Sequence, residues 1–407
     1  MSRLRVSPAE LLRGEGALEA LARRLSLAGA VGTHDAAARA EGPVLLVHGT
    51  VGYPRVRERL DAALAAAGVN ALRRCHEGSC HPAALAGLAA EAERTGAAWV
   101  LGVGGGRVID TAKGAALMAG RPFAALPTSP ATCAATAATV VLYDEAGRHQ
   151  AVREDGVVPA VCALDAELLA GAPDRLLAAG VADAWAKVHE VRLTGGAALA
   201  SATGRAAVAL LDDLDKVLAE HARAALAAGP GGEREPALLP ARVLVAEAAV
   251  LYPGLIGGLA GAEAKLALAH PLHDALTFVD GSHAALHGEK VAFGTLVQIR
   301  LAGRDGSDAN DDARSLAMRA EAAVYAELGL VCHLEALGCA AARSAPVEDD
   351  VVRRTLADPY VQQALPGLEP ARLQAALREV DAHLRGSDRL RHGERAAAPA
   401  HARSTSR

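Results

Sequence analysis

The chain has 407 residues, of which 51% are hydrophobic, 22% are charged and 2% are aromatic. A hydrophobic fraction of this size can fill real cores, which excludes a wholly disordered chain. The scarcity of aromatic rings and the formal net charge of -5 argue against a protein that stacks on bases or neutralises nucleic-acid phosphates. The composition predicts a globular protein that acts on a small-molecule substrate, with no nucleic-acid partner.

The first 165 residues alternate short apolar runs with amphipathic stretches. Strands are predicted at residues 44–47, 98–103, 123–126, 139–143 and 160–164, and helices near residues 55–67, 83–95 and 108–118. Apolar strands that alternate with helices are typical of a largely parallel sheet covered on both faces. We therefore predict an α/β domain over residues 1–168.

After Asp165 the pattern changes, and apolar residues recur at helical spacing to about Gly338. A Gly/Pro-rich segment at residues 229–236 is predicted to connect two helices, and a late helix is predicted near residues 369–384. We therefore predict an all-α domain over residues 169–386. Residues 387–407 have no apolar period and are predicted to form a disordered tail.

Neither the cysteines nor the apolar segments predict a secreted or membrane protein. Six cysteines without a CxxC pair do not form a disulfide framework in a chain of this length. The first residues contain no apolar core of a secretory signal. The longest apolar stretch, residues 248–261, is interrupted by Pro253 and four glycines. We predict a cytoplasmic protein without a membrane partner.

The segment Gly102–Asp110 places consecutive glycines between a predicted strand and a predicted helix. Glycines let backbone N–H groups approach a phosphate closely, and the helix N-terminus adds a positive dipole end. The pattern is neither the spaced GxGxxG fingerprint nor a P-loop. It therefore predicts either a phosphate cradle or a tight turn without a ligand.

One aspartate and two histidine pairs form a candidate metal site. Asp183 lies in a helical pattern, His270 and His273 are three residues apart, and His283 and His287 are four apart. Side chains at these spacings share a helix face, so each pair can converge. A carboxylate and two imidazoles would bind a divalent cation and leave one position for substrate. Chance pairing among 15 histidines is the alternative.

Four stretches, taken in order, resemble the iron-containing, or group III, alcohol dehydrogenase superfamily in its glycerol dehydrogenase branch. They are GVGGGRVIDTAK (102–113), LPTSPATCAATAATVVLYDEAG (126–147), GVADAWAKVHE (180–190) and LAHPLHDALTFVDGSHAALHGEKVAFGTLVQ (268–298). The resemblance implies a dinucleotide-binding α/β domain with a mostly parallel sheet, followed by an all-α domain, in a dehydroquinate synthase-like architecture. It also implies a homo-oligomer.

The resemblance assigns cofactor-binding roles to residues of the α/β domain. The glycines of the turn would cradle the pyrophosphate of an NAD(P) cofactor. The cofactor-binding residues that it implies are Gly104, Gly105, Gly106, Asp110, Thr128, Thr139 and Tyr143.

The resemblance also assigns metal-binding roles in the helical domain. The implied metal ligands, which are also catalytic, are Asp183, His270 and His287. Lys187 stands where other branches place a fourth, histidine ligand, and a lysine there resembles the zinc-type glycerol dehydrogenases rather than the iron enzymes. Zinc is therefore the expected metal, with iron, nickel or manganese as the alternatives. His273 falls near the nicotinamide and is expected to act as a catalytic proton relay, whereas His283 is not a ligand.

Cys133 departs from the glycerol dehydrogenase pattern, in which an aspartate at this position binds the hydroxyls of the substrate. A thiol is a poor hydrogen-bond acceptor, and the loss of a negative charge would admit an anionic substrate. The string Ala131–Ala135 is similar to the branch of hydroxycarboxylate dehydrogenases that reduce small 2-oxoacids. Cys133 is therefore predicted to contact substrate, with inert packing as the alternative.

The turn after the first strand, His48–Thr50, lacks the acidic residue with which NAD-preferring members bind the adenosine ribose. Arg55 and Arg57 follow this turn. The absence of a carboxylate removes repulsion against a 2′-phosphate, and an arginine can pair with that phosphate. We therefore expect a preference for NADP(H).

Together these features predict a metal-dependent NAD(P)-linked oxidoreductase that acts on CH–OH groups. Its substrate would be a small 2-hydroxyacid or 2-oxoacid, or a polyol. The alternative is a sugar-phosphate cyclase or polyol-phosphate dehydrogenase that resembles 3-dehydroquinate synthase or glycerol-1-phosphate dehydrogenase.

Overall fold

A computed structural model of the protein describes residues 5–27, 41–154, 158–195, 200–227, 236–261, 266–303 and 310–397. The N-terminal part alternates strands and helices. Its elements are β1 (Glu10–Gly14), α1 (Ala17–Leu25), β2 (Val44–His48), α2 (Arg57–Ala66), β3 (Ala71–Cys75), α3 (Pro82–Arg94), β4 (Trp99–Gly104), α4 (Gly106–Met118), β5 (Phe123–Pro127), β6 (Val140–Tyr143), β7 (His149–Arg153) and β8 (Val161–Asp165).

A parallel sheet organises this α/β part. Within the described residues it has six strands in the order β1-β8-β5-β4-β2-β3, and every neighbouring pair is parallel. The inner strands are buried because helices cover both faces, with α1 and α2 on one face and α3 and α4 on the other. This confirms the predicted mostly parallel α/β fold.

Three strands, β1, β3 and β7, are not predicted from the sequence. One predicted strand, β6, lies outside the parallel sheet. β1 and β3 are the edge strands, and they are only partly buried, so β3 carries the exposed Arg73 and Arg74 instead of an apolar run. β6 and β7 pair with each other as a separate antiparallel hairpin.

The described residues after β8 are mostly helical, as predicted. Its helices are α5 (Ala166–Ala170), α6 (Asp174–Thr194), α7 (Ala202–Leu226), α8 (Leu239–Ala260), α9 (Ala269–Leu276), α10 (His287–Ala302), α11 (Asp311–Glu327), α12 (Ala345–Ala357), α13 (Pro359–Ala364) and α14 (Pro370–Ala397). Helix α14 continues past residue 386, where the sequence predicts a disordered tail. Residues 398–407 and most of the predicted connection at 229–236 lie outside the described residues. The domain boundaries at residues 168 and 386 stay predictions.

Helix α8 is apolar enough and long enough to cross a membrane by composition alone. Half of its most apolar 18-residue stretch is buried. The helix packs against α6 and α7 through core residues such as Val245 and Ile256. A core helix of a globular protein has these same properties. The cytoplasmic location and the absence of a membrane partner stay predictions.

Close helix packing at one glycine positions the first turn of α10. A Cβ atom added at Gly288 would lie 1.9 Å from the backbone oxygen of Ala179 in α6. Any larger residue would push the two helices apart. The approach brings His287, the first residue of α10, beside the middle of α6, a helix that is buried from Leu177 to Val191.

Candidate metal and cofactor site

Three side chains from three different helices of the helical part converge at one point. Asp183 lies in the middle of α6, His270 in the first turn of α9 and His287 at the start of α10. One ligand atom from each lies within 4.8 Å of the others. The Oδ1 atom of Asp183 is 3.2 Å from the Nε2 atom of each histidine.

Glu190 fixes the orientation of the His270 ring. It lies two turns after Asp183 on α6 and is fully buried. Its carboxylate accepts hydrogen bonds from His270 Nδ1 at 2.6 Å and from the backbone N–H groups of Ala267 and His270. Burial opposes ionisation of Glu190, but the charge and hydrogen bond of His270 lower its pKa below the ordinary value. Because this carboxylate only accepts, Nδ1 carries the proton and Nε2 faces Asp183.

A chain of hydrogen bonds fixes His287 in the same way. His273 Nδ1 is 2.9 Å from Asp274 Oδ1, and its Nε2 is 3.0 Å from His287 Nδ1. Burial, followed by the charges of His287 and Lys290, holds the pKa of His273 well below its usual range, so the ring is neutral. We assign the Nδ1 proton of His273 to the bond with Asp274. Its Nε2 then accepts from His287, whose own Nε2 faces Asp183.

This arrangement requires a positive charge among three atoms. The carboxylate oxygen of Asp183 faces the Nε2 atoms of His270 and His287, and the set is stable only with a proton on an imidazole or with a cation between the three atoms. Burial lowers the pKa of His270, but the charge of Glu190 and the hydrogen bonds to Asp183 and Glu190 raise it to about 9. The pocket therefore attracts positive charge, and its donor set of two imidazoles and one carboxylate fits a divalent metal ion.

The glycine turn lies at the carboxyl edge of the sheet, between β4 and α4. A Cβ atom at Gly104 would lie 2.7 Å from Val108 Cβ, whereas one at Gly105 would meet nothing within 4 Å. Thr128 follows β5 and donates its backbone N–H to Gly104 at 3.0 Å. The turn thus keeps one open face at the N-terminus of a 13-residue helix, which suits a phosphate group.

Asp110 and Lys113 hold the segment that contains the other implied cofactor residues. Asp110 is buried, forms an ion pair with Lys113 at 2.9 Å and accepts the backbone N–H of Val141 at 3.2 Å. Lys113 also donates to the backbone oxygen of Thr139 at 2.6 Å. Tyr143, at the end of β6, is partly buried, and burial raises its pKa well above the ordinary value. The contacts of Asp110 and of the Thr139 backbone therefore fix the course of the segment between β5 and β6.

The loop at residues 130–133 lies between the glycine turn and the metal cluster, by which we mean the three converging side chains of Asp183, His270 and His287. A Cβ atom at Gly106 would lie 2.7 Å from Thr132 Oγ1, and one at Gly180 in α6 would lie 1.9 Å from the backbone oxygen of Pro130. Cys133 is partly buried in this loop. Burial, followed by the charge of Asp183, raises the pKa of Cys133 to about 12, so its thiol is neutral.

The family model for iron-containing alcohol dehydrogenases matches residues 8–166. Glycolaldehyde reductase from Halobacterium salinarum is 30% identical over 277 residues, which cover 67% of this chain and 73% of that protein. The chain belongs to the iron-containing alcohol dehydrogenase family.

One further relative and one solved structure are similar to this chain. It is 34% identical over 209 residues to hydroxycarboxylate dehydrogenase A from Escherichia coli, covering 51% of this chain and 56% of that protein. The matched regions span 56 to 60% of the first relatives' lengths. A probable glycerol dehydrogenase from Sinorhizobium meliloti superposes with a TM-score of 0.75 at 24% identity, covering 95% of this chain and 99% of that one. This likeness establishes the fold.

The segment that follows β2 contains the two arginines on which the expected NADP(H) preference depends. Arg55 donates to the backbone oxygens of Thr128 and Leu168, at 3.3 and 3.0 Å, and so holds the turn together. The side chain of Arg57 is 65% exposed, with Asp61 at 3.7 Å. Both arginines are exposed at the surface, and the expected NADP(H) preference stays a prediction.

Sequence reasoning missed the outer partners of the metal cluster, namely Glu190 and Asp274. Glu190 follows Asp183 by seven residues, which puts both on one face of α6. This spacing is the feature of the sequence from which a role for Glu190 beside Asp183 could have been predicted. The structure places His283 on a 3-10 turn outside the cluster, and a Cβ atom at Gly147 would lie 3.1 Å from its Nδ1 atom.

Proposed function

We propose that this protein is a metal-dependent, NAD(P)-linked oxidoreductase that transfers hydride between a nicotinamide and a small alcohol or carbonyl compound. The observation that carries the proposal is the single loop, residues 130–133, that approaches both the glycine turn at Gly106 and helix α6 at Gly180. A substrate beside this loop would lie between a dinucleotide and a cation held by Asp183, His270 and His287.

In this proposal the cation, the nicotinamide and the protein side chains each have a separate role. A divalent cation in the cluster would supply Lewis-acid polarisation of the substrate oxygen, and a nicotinamide would exchange hydride with the adjacent carbon. The protein supplies orientation: Glu190 and His273 aim the two imidazoles, and the open face of Gly105 receives the pyrophosphate. His273 holds a proton at Nδ1 against Asp274, which supports its proposed part in proton relay.

The preferred substrate within this proposal is a 2-hydroxyacid or 2-oxoacid, with a polyol as the second class. The neutral thiol of Cys133 supports this preference because it adds no negative charge beside the cluster. The likeness to hydroxycarboxylate dehydrogenase A agrees with it. Two imidazoles and one carboxylate support zinc as the metal, and the exposed Arg57 supports NADP(H) as the cofactor.

The test is consumption of NADH and NADPH by the zinc-loaded protein. The substrates supplied would be small 2-oxoacids, dihydroxyacetone, small aldehydes and a phosphorylated polyol. Oxidation of glycerol would be followed as the reaction in the opposite direction. We expect turnover of 2-oxoacids with a lower KM for NADPH than for NADH. A strong preference for NADH would contradict the cofactor assignment, and turnover restricted to phosphorylated substrates would favour the alternative function.

Two variants test the site itself. His270→Ala and His287→Ala should abolish turnover because each removes one of three metal-binding atoms, while circular dichroism stays that of the unchanged protein. His221→Ala is the matched control, since His221 lies partly exposed on α7. Retained activity in either site variant would refute the assigned site.

A further inference from the structure

Three helices hold the segment 130–137, which includes the loop at residues 130–133. Helix α4 approaches the segment at Gly106, and α6 approaches it at Gly180. Helix α8 makes the third contact, although it contributes no side chain to the metal cluster. This contact is made by Thr136, which is fully buried. Thr136 thus links α8 to the segment beside which a substrate would lie.

Helix α8 receives Thr136 at a notch formed by Pro253 and Gly254. Pro253 lies inside the helix and has no backbone N–H group, which interrupts the helical hydrogen bonds. A Cβ atom added at Gly254 would lie 2.5 Å from Thr136 Oγ1 and 2.8 Å from the backbone oxygen of Thr136. Even an alanine at position 254 would therefore push the segment away from α8.

A hydrogen bond across this notch holds the side chain of Thr136. Its hydroxyl oxygen lies 2.5 Å from the backbone oxygen of Val250 and 3.0 Å from that of Cys133. A hydroxyl group has one hydrogen to donate, and the shorter distance assigns it to Val250. The bond therefore joins the segment to α8 through a single side chain.

The two ends of the segment connect this bond to the rest of the site. The backbone oxygen of Cys133 accepts the N–H groups of Thr136 and Ala137, each at 2.9 Å, so these residues form one turn. At the other end, Pro130 lies against Gly180, which precedes Asp183 by three residues on α6. A displacement of Thr136 would therefore move Cys133 relative to α6.

We propose that Thr136 is a positioning residue, whose bond to Val250 sets the place of the segment 130–137 between the glycine turn and the metal cluster. This inference rests on the proposed function, in which the substrate lies beside the segment. Lys113 ties the segment to α4, since it donates to the backbone oxygens of Ala134 and Ala137 at 2.8 and 3.0 Å. Thr136 supplies the second tie, to α8. Loss of its hydroxyl should displace the segment while the bonds of Lys113 keep the fold intact.

The kinetic test compares Thr136→Val with Thr136→Ser in the zinc-loaded enzyme, with pyruvate and dihydroxyacetone as substrates. Valine keeps the branched shape and loses the hydroxyl, whereas serine keeps the hydroxyl. We expect kcat/KM to fall roughly 10- to 100-fold in Thr136→Val, mostly through kcat, because a small misplacement of groups beside the reacting atoms is costly. Thr136→Ser should stay within about threefold of the unchanged enzyme, since the bond to Val250 is kept.

Thr355→Val is the matched control. Thr355 is fully buried in α12, and its hydroxyl donates to the backbone oxygen of Val351 at 2.8 Å. Both valine variants therefore remove a buried hydroxyl bond, but only Thr136→Val alters the segment 130–137. Equal losses of kcat/KM in the two valine variants would overturn the inference. So would unchanged kinetics in Thr136→Val, or a loss in Thr136→Ser as large as that in Thr136→Val.

Hydrogen exchange measured by mass spectrometry follows the segment without turnover. Peptides that cover residues 130–137 should exchange roughly tenfold faster in Thr136→Val, because the turn that protects their N–H groups loses one hydrogen bond to α8. The same peptides should be unchanged in Thr355→Val. Gly254→Ala leaves Thr136 intact but fills the notch, so it should also speed exchange and lower kcat, and it carries the test if Thr136→Val does not fold.

The exchange result keeps this inference distinct from the proposed function. Unchanged exchange in Thr136→Val and in Gly254→Ala would overturn the anchoring role of Thr136 even if the protein is an active oxidoreductase. An unchanged enzyme that reduces neither pyruvate nor dihydroxyacetone and binds no metal would refute the proposed function, and faster exchange in both variants would still support the anchor.

Discussion

Glu190 illustrates how a charged residue of α6 acts through its neighbour. It touches no reacting atom in the proposed scheme, but it holds the proton of His270 at Nδ1 and leaves Nε2 free for a cation. Such outer carboxylates orient metal-binding imidazoles and increase their basicity. The affinity of the proposed site for a metal ion would therefore depend on a residue that does not itself converge with Asp183, His270 and His287.

We expect Glu190→Gln to weaken zinc binding roughly 10- to 100-fold, because the amide is a weaker acceptor than the carboxylate and can present an N–H group to His270 Nδ1. Competitive titration against a chromophoric chelator measures this affinity directly. Glu220→Gln, an exposed change on α7, serves as the control. An unchanged zinc affinity in Glu190→Gln would show that the ring of His270 is held by other contacts.

The charged residues of α6 also show which roles could not be predicted from the sequence. Asp183, Lys187 and Glu190 recur at spacings of four and three residues, a pattern that also describes a solvated helix face. The family resemblance singled out Asp183 and Lys187. The role of Glu190 depends on α6 being buried on all sides, and that burial arises from packing against α7, α8 and α10, which no local pattern encodes.

At the scale of elements, the unit β4–turn–α4 could be predicted because a buried strand and consecutive glycines are local signals. The hairpin β6–β7 could not, because β7 is largely exposed and carries no apolar run. The segment between β5 and β6 adopts its course through long-range contacts. Lys113 donates to the backbone oxygens of Ala134, Ala137 and Thr139, so one buried side chain replaces regular secondary structure.

Removal of this lysine should destabilise the protein strongly. Lys113→Met leaves Asp110 buried without its ion partner, and loss of one partner of a buried pair costs about 3–5 kcal/mol. Denaturant unfolding measures the change, and the double variant Lys113→Met with Asp110→Leu should recover part of it. A cost for Lys113→Met below about 1 kcal/mol would mean that the loop does not depend on this clamp.

At the scale of the whole molecule, the two parts contribute different halves of the site. The glycine turn comes from the α/β part, and the three converging side chains come from α6, α9 and α10 of the helical part. The hairpin β6–β7 contacts the helical part as well, since His149 donates its backbone N–H to the hydroxyl oxygen of Thr277 at 2.9 Å. A cation and a dinucleotide should therefore stabilise different parts of the fold.

This separation predicts two independent thermal shifts. Zinc at 100 times its Kd adds about 2.7 kcal/mol of stability, which raises Tm by several degrees, and chelation should reverse the gain. Asp183→Asn should abolish most of the zinc shift because the cluster loses its carboxylate, whereas the shift caused by NADPH should persist. Differential scanning fluorimetry with each ligand alone tests both claims. A zinc shift that survives in Asp183→Asn would place the metal elsewhere, and the loss of both shifts together would show that the cluster and the glycine turn are energetically coupled.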